Sequence, residues 1–172
     1  MLANLRKSSG LFVSLLVLGL LPGCGGDEEE FTASVAGSYT VSVTNRESTC
    51  QMGDWMEGNM ATGIPLEVTQ SGSELHATIG GLAGAYVALV QGNAEFEGSV
   101  DGTKIALTNY GTRSVTQGNC TFTYNAIIAG TLTGDAISGT ITYSPATNSN
   151  PDCADVECSA VQEFSGSRPP PA

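Results

Sequence analysis

Basic residues are scarce in this sequence. Six lysines and arginines stand against seventeen acidic residues, which gives a formal net charge of −11 at pH 7. Phosphate backbones and anionic headgroups repel a chain of this charge, so nucleic acid is not expected as a partner. Beyond the first 24 residues, no apolar run approaches the roughly twenty residues that a membrane-spanning helix needs.

Histidine is almost absent, which removes most routes to enzymatic chemistry. The single histidine, His76, alternates with Leu75 and Ala77 and is therefore predicted on an outer, solvated face. No Gly-x-Ser-x-Gly elbow occurs, and Glu95 and Glu97, which could act as an acid and base pair, are better explained as outward-facing strand residues. The sequence contains no Cys-x-x-Cys motif, which is the spacing typical of zinc sites. We therefore expect no enzyme, no catalytic residue and no cofactor.

The N-terminus begins with a short basic and apolar segment. Arg6 and Lys7 precede an apolar stretch at residues 11–21, which at about eleven residues is too short to span a bilayer. The stretch ends in Leu21-Pro22-Gly23-Cys24, which resembles the lipobox of bacterial lipoproteins. The resemblance implies that residues 1–23 are a signal peptide and that Cys24 is lipidated and becomes the mature N-terminus.

Lipidation implies a place in the bacterial cell envelope. Each buried CH₂ adds about 0.8 kcal/mol, so several acyl chains, palmitate among them, hold a protein essentially permanently. Gly25 follows the cysteine in place of the aspartate that retains some lipoproteins in the inner membrane, which favours the outer membrane and leaves its periplasmic and surface sides open. Residues 24–36 are predicted to be a flexible acidic tether. Without residues 1–23, four basic and seventeen acidic residues give a net charge of −13.

Four cysteines remain for disulfides, and an even number in an exported chain implies two bridges with three possible connectivities. These cysteines are Cys50, Cys120, Cys153 and Cys158. We interpret residues 145–158 as an acidic surface loop closed by Cys153–Cys158, which leaves Cys50–Cys120 as the longer bridge. Calcium binding by Asp152, Asp155 and Glu157 is an alternative for this loop, although their spacing matches no established calcium loop.

Apolar residues recur at every second position through most of the remaining chain, as Tyr39, Val41 and Val43 do among Ser and Thr. One apolar face and one face of Thr, Ser and Glu are typical of an antiparallel sheet around its own core. The segments with this pattern lie near residues 38–44, 66–69, 74–79, 95–100, 105–107, 121–128, 137–143 and 160–166. The sequence therefore predicts an all-β fold of about eight strands.

The connections between these segments alternate in length. Three are short and contain glycine, at 71–73, 101–102 and 134–135, and four are long, at 45–63, 81–93, 110–119 and 144–158. In an up-and-down barrel this alternation places every long loop, and all four cysteines, at one end. Residues 81–92 are predicted to be an apolar loop folded into the barrel mouth, and an extra strand there is the alternative. Small inward residues, Ala77, Gly98, Ala126 and Gly139, are expected to leave room inside.

The first strand carries Gly37-Ser38-Tyr39, which resembles the Gly-x-Trp signature of calycin barrels such as lipocalins, with Tyr in place of Trp. The resemblance implies a lipocalin-like barrel over residues 37–168, and that Arg168 packs across the aromatic ring. Residues 169–172 are expected to be a disordered tail.

The first long loop contains Met52, Trp55, Met56 and Met60, which include every methionine after residue 24 and the only tryptophan. The favoured interpretation is that these side chains cover the barrel mouth, since methionine fills irregular gaps well. A short helix would instead align three thioethers, which suit Cu(I). An exposed contact patch for a partner is the third possibility.

Two functions are compatible with these features. The first is a lipid-anchored, non-enzymatic envelope protein that binds a small apolar ligand in its barrel. The alternative is a structural or protein-interaction module, including an inhibitor, that acts on another envelope protein through its long loops.

The lipobox predicts a specific modification. We expect the wild-type chain to incorporate labelled palmitate in a bacterial host and Cys24→Ser to lose essentially all of the label, because the thioether forms at Cys24. Cys50→Ser, which also removes one thiol, should keep it. Equal labelling of the two variants would contradict the assignment of Cys24.

Overall fold

The computed structural model describes residues 32–50, 52–53 and 55–170. The predicted signal peptide, Cys24 and most of the predicted tether lie outside the described residues. The described chain forms nine strands, one α-helix and one 3₁₀ turn. They are, in chain order, β1 (Gly37–Ser48), β2 (Met60–Ser71), β3 (Glu74–Ile79), α1 (Gly81–Gln91), β4 (Glu95–Asp101), β5 (Lys104–Asn109), β6 (Val115–Gln117), β7 (Cys120–Thr133), β8 (Ala136–Thr147), the 3₁₀ turn (Pro151–Val156) and β9 (Ala160–Ser167).

Eight antiparallel strands close into an up-and-down barrel, as the alternation predicted. Consecutive strands pair from β1 to β5 and from β7 to β9, β1 pairs with β9, and the pairing of β5 with β7 completes the ring. The short strand β6 is the one addition: it pairs with the first residues of β7, from Val115↔Phe122 to Gln117↔Cys120. β7 is 14 residues long and β5 is 6, so β7 extends beyond β5 and leaves backbone groups that β6 pairs.

The alternation of apolar and polar residues corresponds to the inside and outside of the barrel. On β3, Leu75 and Ala77 are buried, whereas His76 between them is exposed. Successive side chains of a strand point to opposite faces of a sheet, so a closed sheet places alternate residues inside. The predicted outward positions of His76, Glu95 and Glu97 are confirmed.

The hairpin turns and the long connections lie at opposite ends of the barrel. Gly72, Gly102 and Gly134 occupy the three tight turns with φ of 62°, 56° and 60°, a left-handed conformation that glycine adopts without steric cost. The long connections, residues 49–59, 80–94, 110–119 and 148–159, gather at the other end, which we call the mouth.

The chain before β1 closes the short-turn end, which we call the floor. Ala33 donates from its backbone N–H to the carbonyl of Gly102 at 2.8 Å. Val35 is 1% exposed, and its N–H donates to Oε1 of Gln70 at 2.6 Å. The predicted tether extended to residue 36, but residues 33–36 belong to the barrel, because Ala33 and Val35 bury apolar side chains against its core.

Arg168 joins the floor to the first strand. Its guanidinium carbon lies 5.7 Å from the centroid of the Tyr39 ring, so the contact implied by the calycin resemblance is present. Arg168 also donates from Nε to Asp135 at 3.1 Å and from Nη1 to the carbonyl of Ala36 at 2.6 Å. The Tyr39 hydroxyl donates to the carbonyl of Val35 at 2.7 Å. The segment before β1 and the residue after β9 are thereby held at the same part of the barrel.

Both predicted disulfides form at the mouth, but the favoured connectivity was wrong. Cys50 bonds to Cys158, with 4.9 Å between their Cα atoms, and Cys120 bonds to Cys153, with 5.0 Å between theirs. The reason is barrel closure. Cys50 follows β1 and Cys158 precedes β9, and these two strands are neighbours, as the hydrogen bond from Thr49 N–H to the carbonyl of Ser159 at 2.8 Å shows.

Residues 81–91 form helix α1, so both the predicted loop and the alternative strand were wrong. Alanine and leucine in this segment favour a helix. Gly92 ends it with φ of 98° and donates from its N–H to the carbonyl of Ala88. Gly84 lies so close to the carbonyl oxygen of Ile79 that a Cβ atom would come within 2.0 Å of it.

None of the helices in the described part of the chain is long and apolar enough to cross a membrane.

The two bridges should contribute differently to stability. The Cys50–Cys158 bridge closes 108 residues and the Cys120–Cys153 bridge closes 33. Chain-entropy estimates give about 5 and about 4 kcal/mol respectively. Urea unfolding of Cys50→Ser/Cys158→Ser should therefore show a larger loss than Cys120→Ser/Cys153→Ser. Recovery of a Cys153–Cys158 peptide from the unreduced wild type would contradict this connectivity.

Candidate functional site

The barrel contains an open cavity of about 980 Å³. It extends from Val35 at the floor to α1 and the Trp55 loop at the mouth. Leu75, Phe96 and Val100 of β3 and β4 are buried in the packed core, so the cavity is lined by the other strands and by Ile79 at the end of β3. The barrel wall that lines it is apolar and consists of Val41, Val43, Ile64, Leu66, Val68, Ile79, Ile105, Leu107, Ile128, Ile137, Ile141 and Phe164.

The small inward residues predicted to make room are not those that line the cavity. Ala77 and Ala126 are buried in the packed core. Gly98 and Gly139 let neighbouring strands approach closely, because a Cβ atom would lie 2.0 Å from the carbonyl oxygen of Ala106 at Gly98 and 2.1 Å from that of Ala129 at Gly139. The cavity is lined instead by valine, isoleucine and leucine side chains of the barrel wall.

The loop between β1 and β2 contributes two of its four predicted residues to the cavity. Met52 and Trp55 line it, whereas Met56 and Met60 are exposed. The described residues of this loop form no helix, and Met60 begins β2. The alternative of a helix that aligns three thioethers is therefore contradicted, and the favoured interpretation, covering of the mouth, holds for Met52 and Trp55.

Trp55 is held in place by two contacts. Its indole Nε1–H donates to the carbonyl of Arg46 at 3.0 Å. Its ring meets Tyr143 edge to face, with 6.3 Å between centroids. A hydrogen-bonded indole with a packed ring has a fixed orientation, so this loop presents a defined aromatic surface to the cavity.

A chain of neutral polar side chains crosses the cavity wall beside Trp55. The Tyr143 hydroxyl donates to Oε1 of Gln162 at 2.8 Å, and Nε2 of Gln162 donates to Oδ1 of Asn45 at 2.8 Å. All three residues line the cavity. Buried polar groups of this kind are tolerated because they bond to one another.

Burial sets the acid–base behaviour of two tyrosines. It raises the pKa of the Tyr143 phenol well above its usual range, and the charge that Tyr86 would carry raises it further. Burial also raises the pKa of Tyr39, although the Arg168 guanidinium lowers it in part. Tyr143 is therefore an uncharged hydrogen-bonding group at physiological pH.

Gln91 is the second polar group of the cavity. It is the last residue of α1 and is 3% exposed. Its Oε1 is buried and has no hydrogen-bond partner among the described residues. Its backbone carbonyl is fixed from behind by the N–H groups of Thr112 and Arg113, at 2.6 and 3.0 Å. An unpaired buried amide costs free energy, which a bound hydrogen-bonding group would recover.

Helix α1 lies over the mouth and is apolar on both sides. Leu82, Ala83, Tyr86, Val87 and Val90 line the cavity. Leu82 is nevertheless 92% exposed, and Tyr86 and Leu89 are also exposed. The helix has no side-chain cap at its N-terminus, and its ends are held by the hydrogen bonds from Gly80 N–H to Pro65 and from Thr112 and Arg113 to Gln91.

The remaining sequence candidates lie away from the cavity. His76 and Glu97 are both exposed, with 3.8 Å between Nδ1 and Oε1. In the acidic loop, Asp152 accepts a hydrogen bond from Nδ2 of Asn119 at 2.8 Å and lies in the 3₁₀ turn. Within the described ranges, no group of three or more histidine, cysteine or acidic side chains could hold a metal ion.

Sequence reasoning missed Gln91, Gln162 and Asn45, although a signal existed for two of them. Gln162 is two residues before Phe164 and Asn45 is two residues after Val43, so both continue an inward-facing series on a strand. Gln91 had no such signal, because it lies on a helix that was not predicted and therefore belongs to no series of inward-facing strand residues.

Comparisons of the chain with protein-family models, with curated proteins and with solved structures give no significant match. Membership in the lipoprotein and calycin families therefore stays a prediction from the motifs.

The raised pKa values of Tyr143 and Tyr39 predict a late step in alkaline titration. Part of the phenolate absorbance should appear only well above pH 10, and it should move to about pH 10 in denaturant. The folded state keeps these two protons to a higher pH than the unfolded state does. The stability that the two phenols contribute is therefore fully present below about pH 10 and is lost as the pH rises through their pKa values in the folded state. Tyr143→Phe should remove part of the late step. A native titration that matches the denatured one would contradict the burial of both phenols.

Proposed function

We propose that this protein is a lipid-anchored lipoprotein of the bacterial cell envelope that binds a small apolar ligand inside its barrel. The observation that carries the proposal is the open, apolar cavity of about 980 Å³. Sites for small molecules are concave, mostly apolar and usually about 300–1,000 Å³ in volume, with a few polar groups that orient the ligand. The Tyr143–Gln162–Asn45 chain and Gln91 are such groups.

The proposed anchor rests on the Leu21-Pro22-Gly23-Cys24 motif and on the acidic residues that follow it. Gly25 supports outer-membrane placement, and two disulfides fit an oxidising compartment outside the cytoplasm. With a net charge of −13 after the removal of residues 1–23, the chain would depend on its lipid rather than on surface charge for attachment.

A binding role rather than catalysis is supported by the chemistry of the cavity lining. Among the described residues, the lining contains no histidine, cysteine, serine, lysine or carboxylate. Its hydroxyl groups belong to Thr62, Tyr86, Tyr124 and Tyr143. The Tyr143 hydroxyl has a raised pKa and donates to Gln162, which leaves it a poor nucleophile and a poor base. These groups can orient a ligand but offer no activated nucleophile.

The alternative function is a protein-interaction module, and one observation favours it. Leu82, Tyr86 and Leu89 on α1 and Met56 and Met60 beside the first loop are exposed apolar side chains at the mouth. Clusters of this kind are common at contacts with other proteins. The open interior and the inward position of Trp55 favour ligand binding over the protein-interaction module.

Native mass spectrometry of the full chain, purified from its own envelope, tests the proposed function. We expect the folded lipoprotein to retain a small molecule that is absent from the denatured protein. Ile128→Trp should displace it, because Ile128 lines the cavity and a larger ring would occupy the space. The unfilled cavity should limit the stability cost to about 1–3 kcal/mol.

Ile127→Trp is the matched control. Ile127 is the adjacent residue of β7 and is 48% exposed on the outside of the barrel, so the same ring there should leave the retained molecule in place. Equal retention by the two variants, or no retained molecule in wild type, would contradict ligand binding in the barrel. Co-purification of a protein instead would support the interaction module.

A further inference from the structure

The cavity lining has polar groups but no ionic ones. Among the described residues, none of its side chains is Asp, Glu, Lys, Arg or His. Asp54 in the mouth loop lies outside the described residues, and as a carboxylate it would offer no positive charge. The titratable groups that face the cavity are the phenols of Tyr86, Tyr124 and Tyr143.

The cations near the mouth are engaged elsewhere. Arg46 pairs with Glu163 on the outer surface of β1 and β9. Arg113 donates from Nη1 to the carbonyl of Leu89 at the end of α1 and does not line the cavity. Arg113 keeps its positive charge, because a carbonyl is a neutral acceptor, but it lies outside the described lining. An anionic head group inside the barrel would therefore meet no counter-charge among the described lining residues, and an unpaired buried charge is strongly unfavourable. The acidic excess of the chain opposes it further.

Gln91 supplies a hydrogen-bond donor and a hydrogen-bond acceptor for an uncharged polar group. Its side chain lines the cavity and its Oε1 is buried without a partner among the described residues, while its backbone carbonyl accepts hydrogen bonds from the N–H groups of Thr112 and Arg113. An alcohol hydroxyl can donate to Oε1 or accept from Nε2, so it satisfies the amide in either orientation of the side chain. An ionised carboxylate can only accept, and it would bring its full desolvation cost.

We infer that the cavity selects an electrically neutral, long apolar molecule that carries a hydroxyl-type group, which bonds to Gln91, and that it rejects the ionised acid of the same chain. This inference rests on the proposed ligand binding and names the chemical class of the ligand. The wall of valine, isoleucine, leucine and phenylalanine holds the apolar part, and Gln91 at the end of α1 holds the hydroxyl.

Trp55 provides a reporter, since it is the only tryptophan and lines the cavity. The experiment uses the full-length lipoprotein in phosphatidylcholine vesicles and three probes: a long-chain alcohol, the matching fatty acid and the matching alkane. Each probe carries bromine at the same mid-chain carbon, because bromine quenches indole fluorescence on contact. Partition of each probe into protein-free vesicles is measured and subtracted.

We expect all three probes to show saturable quenching if the barrel binds apolar chains. At about pH 9, where a carboxyl group is ionised, the acid should bind at least about tenfold more weakly than the alcohol. Its affinity should rise as the pH falls and the acid becomes neutral, while that of the alcohol stays constant. Acid and alcohol that bind equally at high pH would overturn the inference.

Substitution of Gln91 tests the hydroxyl contact separately. Gln91→Leu should weaken binding of the alcohol by about three- to tenfold and leave the alkane unchanged, which corresponds to the loss of one neutral hydrogen bond. Gln117→Leu, at an exposed glutamine on β6 away from the cavity, should change neither. An alcohol affinity that is insensitive to Gln91→Leu in the folded variant would overturn the role of Gln91.

The outcomes separate the inference from the function on which it depends. No quenching by the alkane or the alcohol would remove ligand binding and the inference together. Quenching by all probes, with the acid as strong as the others at pH 9, would keep the binding function and overturn the selectivity. The comparison of the three probes uses the unaltered protein, so it stands even if Gln91→Leu fails to fold.

Discussion

Closure of the sheet is the constraint on which the rest of this structure depends. The pairing of β5 with β7 leaves the eight-stranded ring without an exposed edge and fixes which side chains face inward. Once the ring closes, strand number sets its width, and the inward side chains decide how much of the interior is filled. Here Phe96 and its neighbours fill one side, and aliphatic residues leave the other side open.

The open side combines an apolar wall with a hydrogen-bonded polar chain. Its wall is aliphatic, yet Tyr143, Gln162 and Asn45 form a continuous hydrogen-bonded chain along it. Neutral amides and a high-pKa phenol bring polarity without charge, and they keep it across the physiological pH range. Each of these side chains finds its hydrogen-bond partner within the chain, which stabilises polar groups away from water.

Much of the fold could be predicted from the sequence because closure imposes a period of two on every strand, and alternating residues such as Leu75, His76 and Ala77 record it. The alternation of short and long connections also predicted that the tight turns lie at one end of the barrel and the long loops at the other. Helix α1 could not be predicted, because residues 81–91 contain no charge to mark a solvated face and mix alanine with valine and tyrosine. The disulfide pairing was missed although a closed barrel makes β1 and β9 neighbours, because the short spacing of Cys153 and Cys158 suggested a local bridge. The buried position of Gln91 could be seen only in the structure, because it depends on where helix α1 lies.

The chain before β1 enters the barrel at the floor, which determines where a lipid anchor would be attached. If Cys24 carries the lipid, about eight residues connect it to Thr32, which reach at most about 28 Å when fully extended. Thr32 pairs with Gly102 at the floor, so such a tether would attach the barrel at the end opposite to the mouth. The point of attachment and the opening of the cavity would then lie at opposite ends of the barrel, which leaves the mouth free of the anchor.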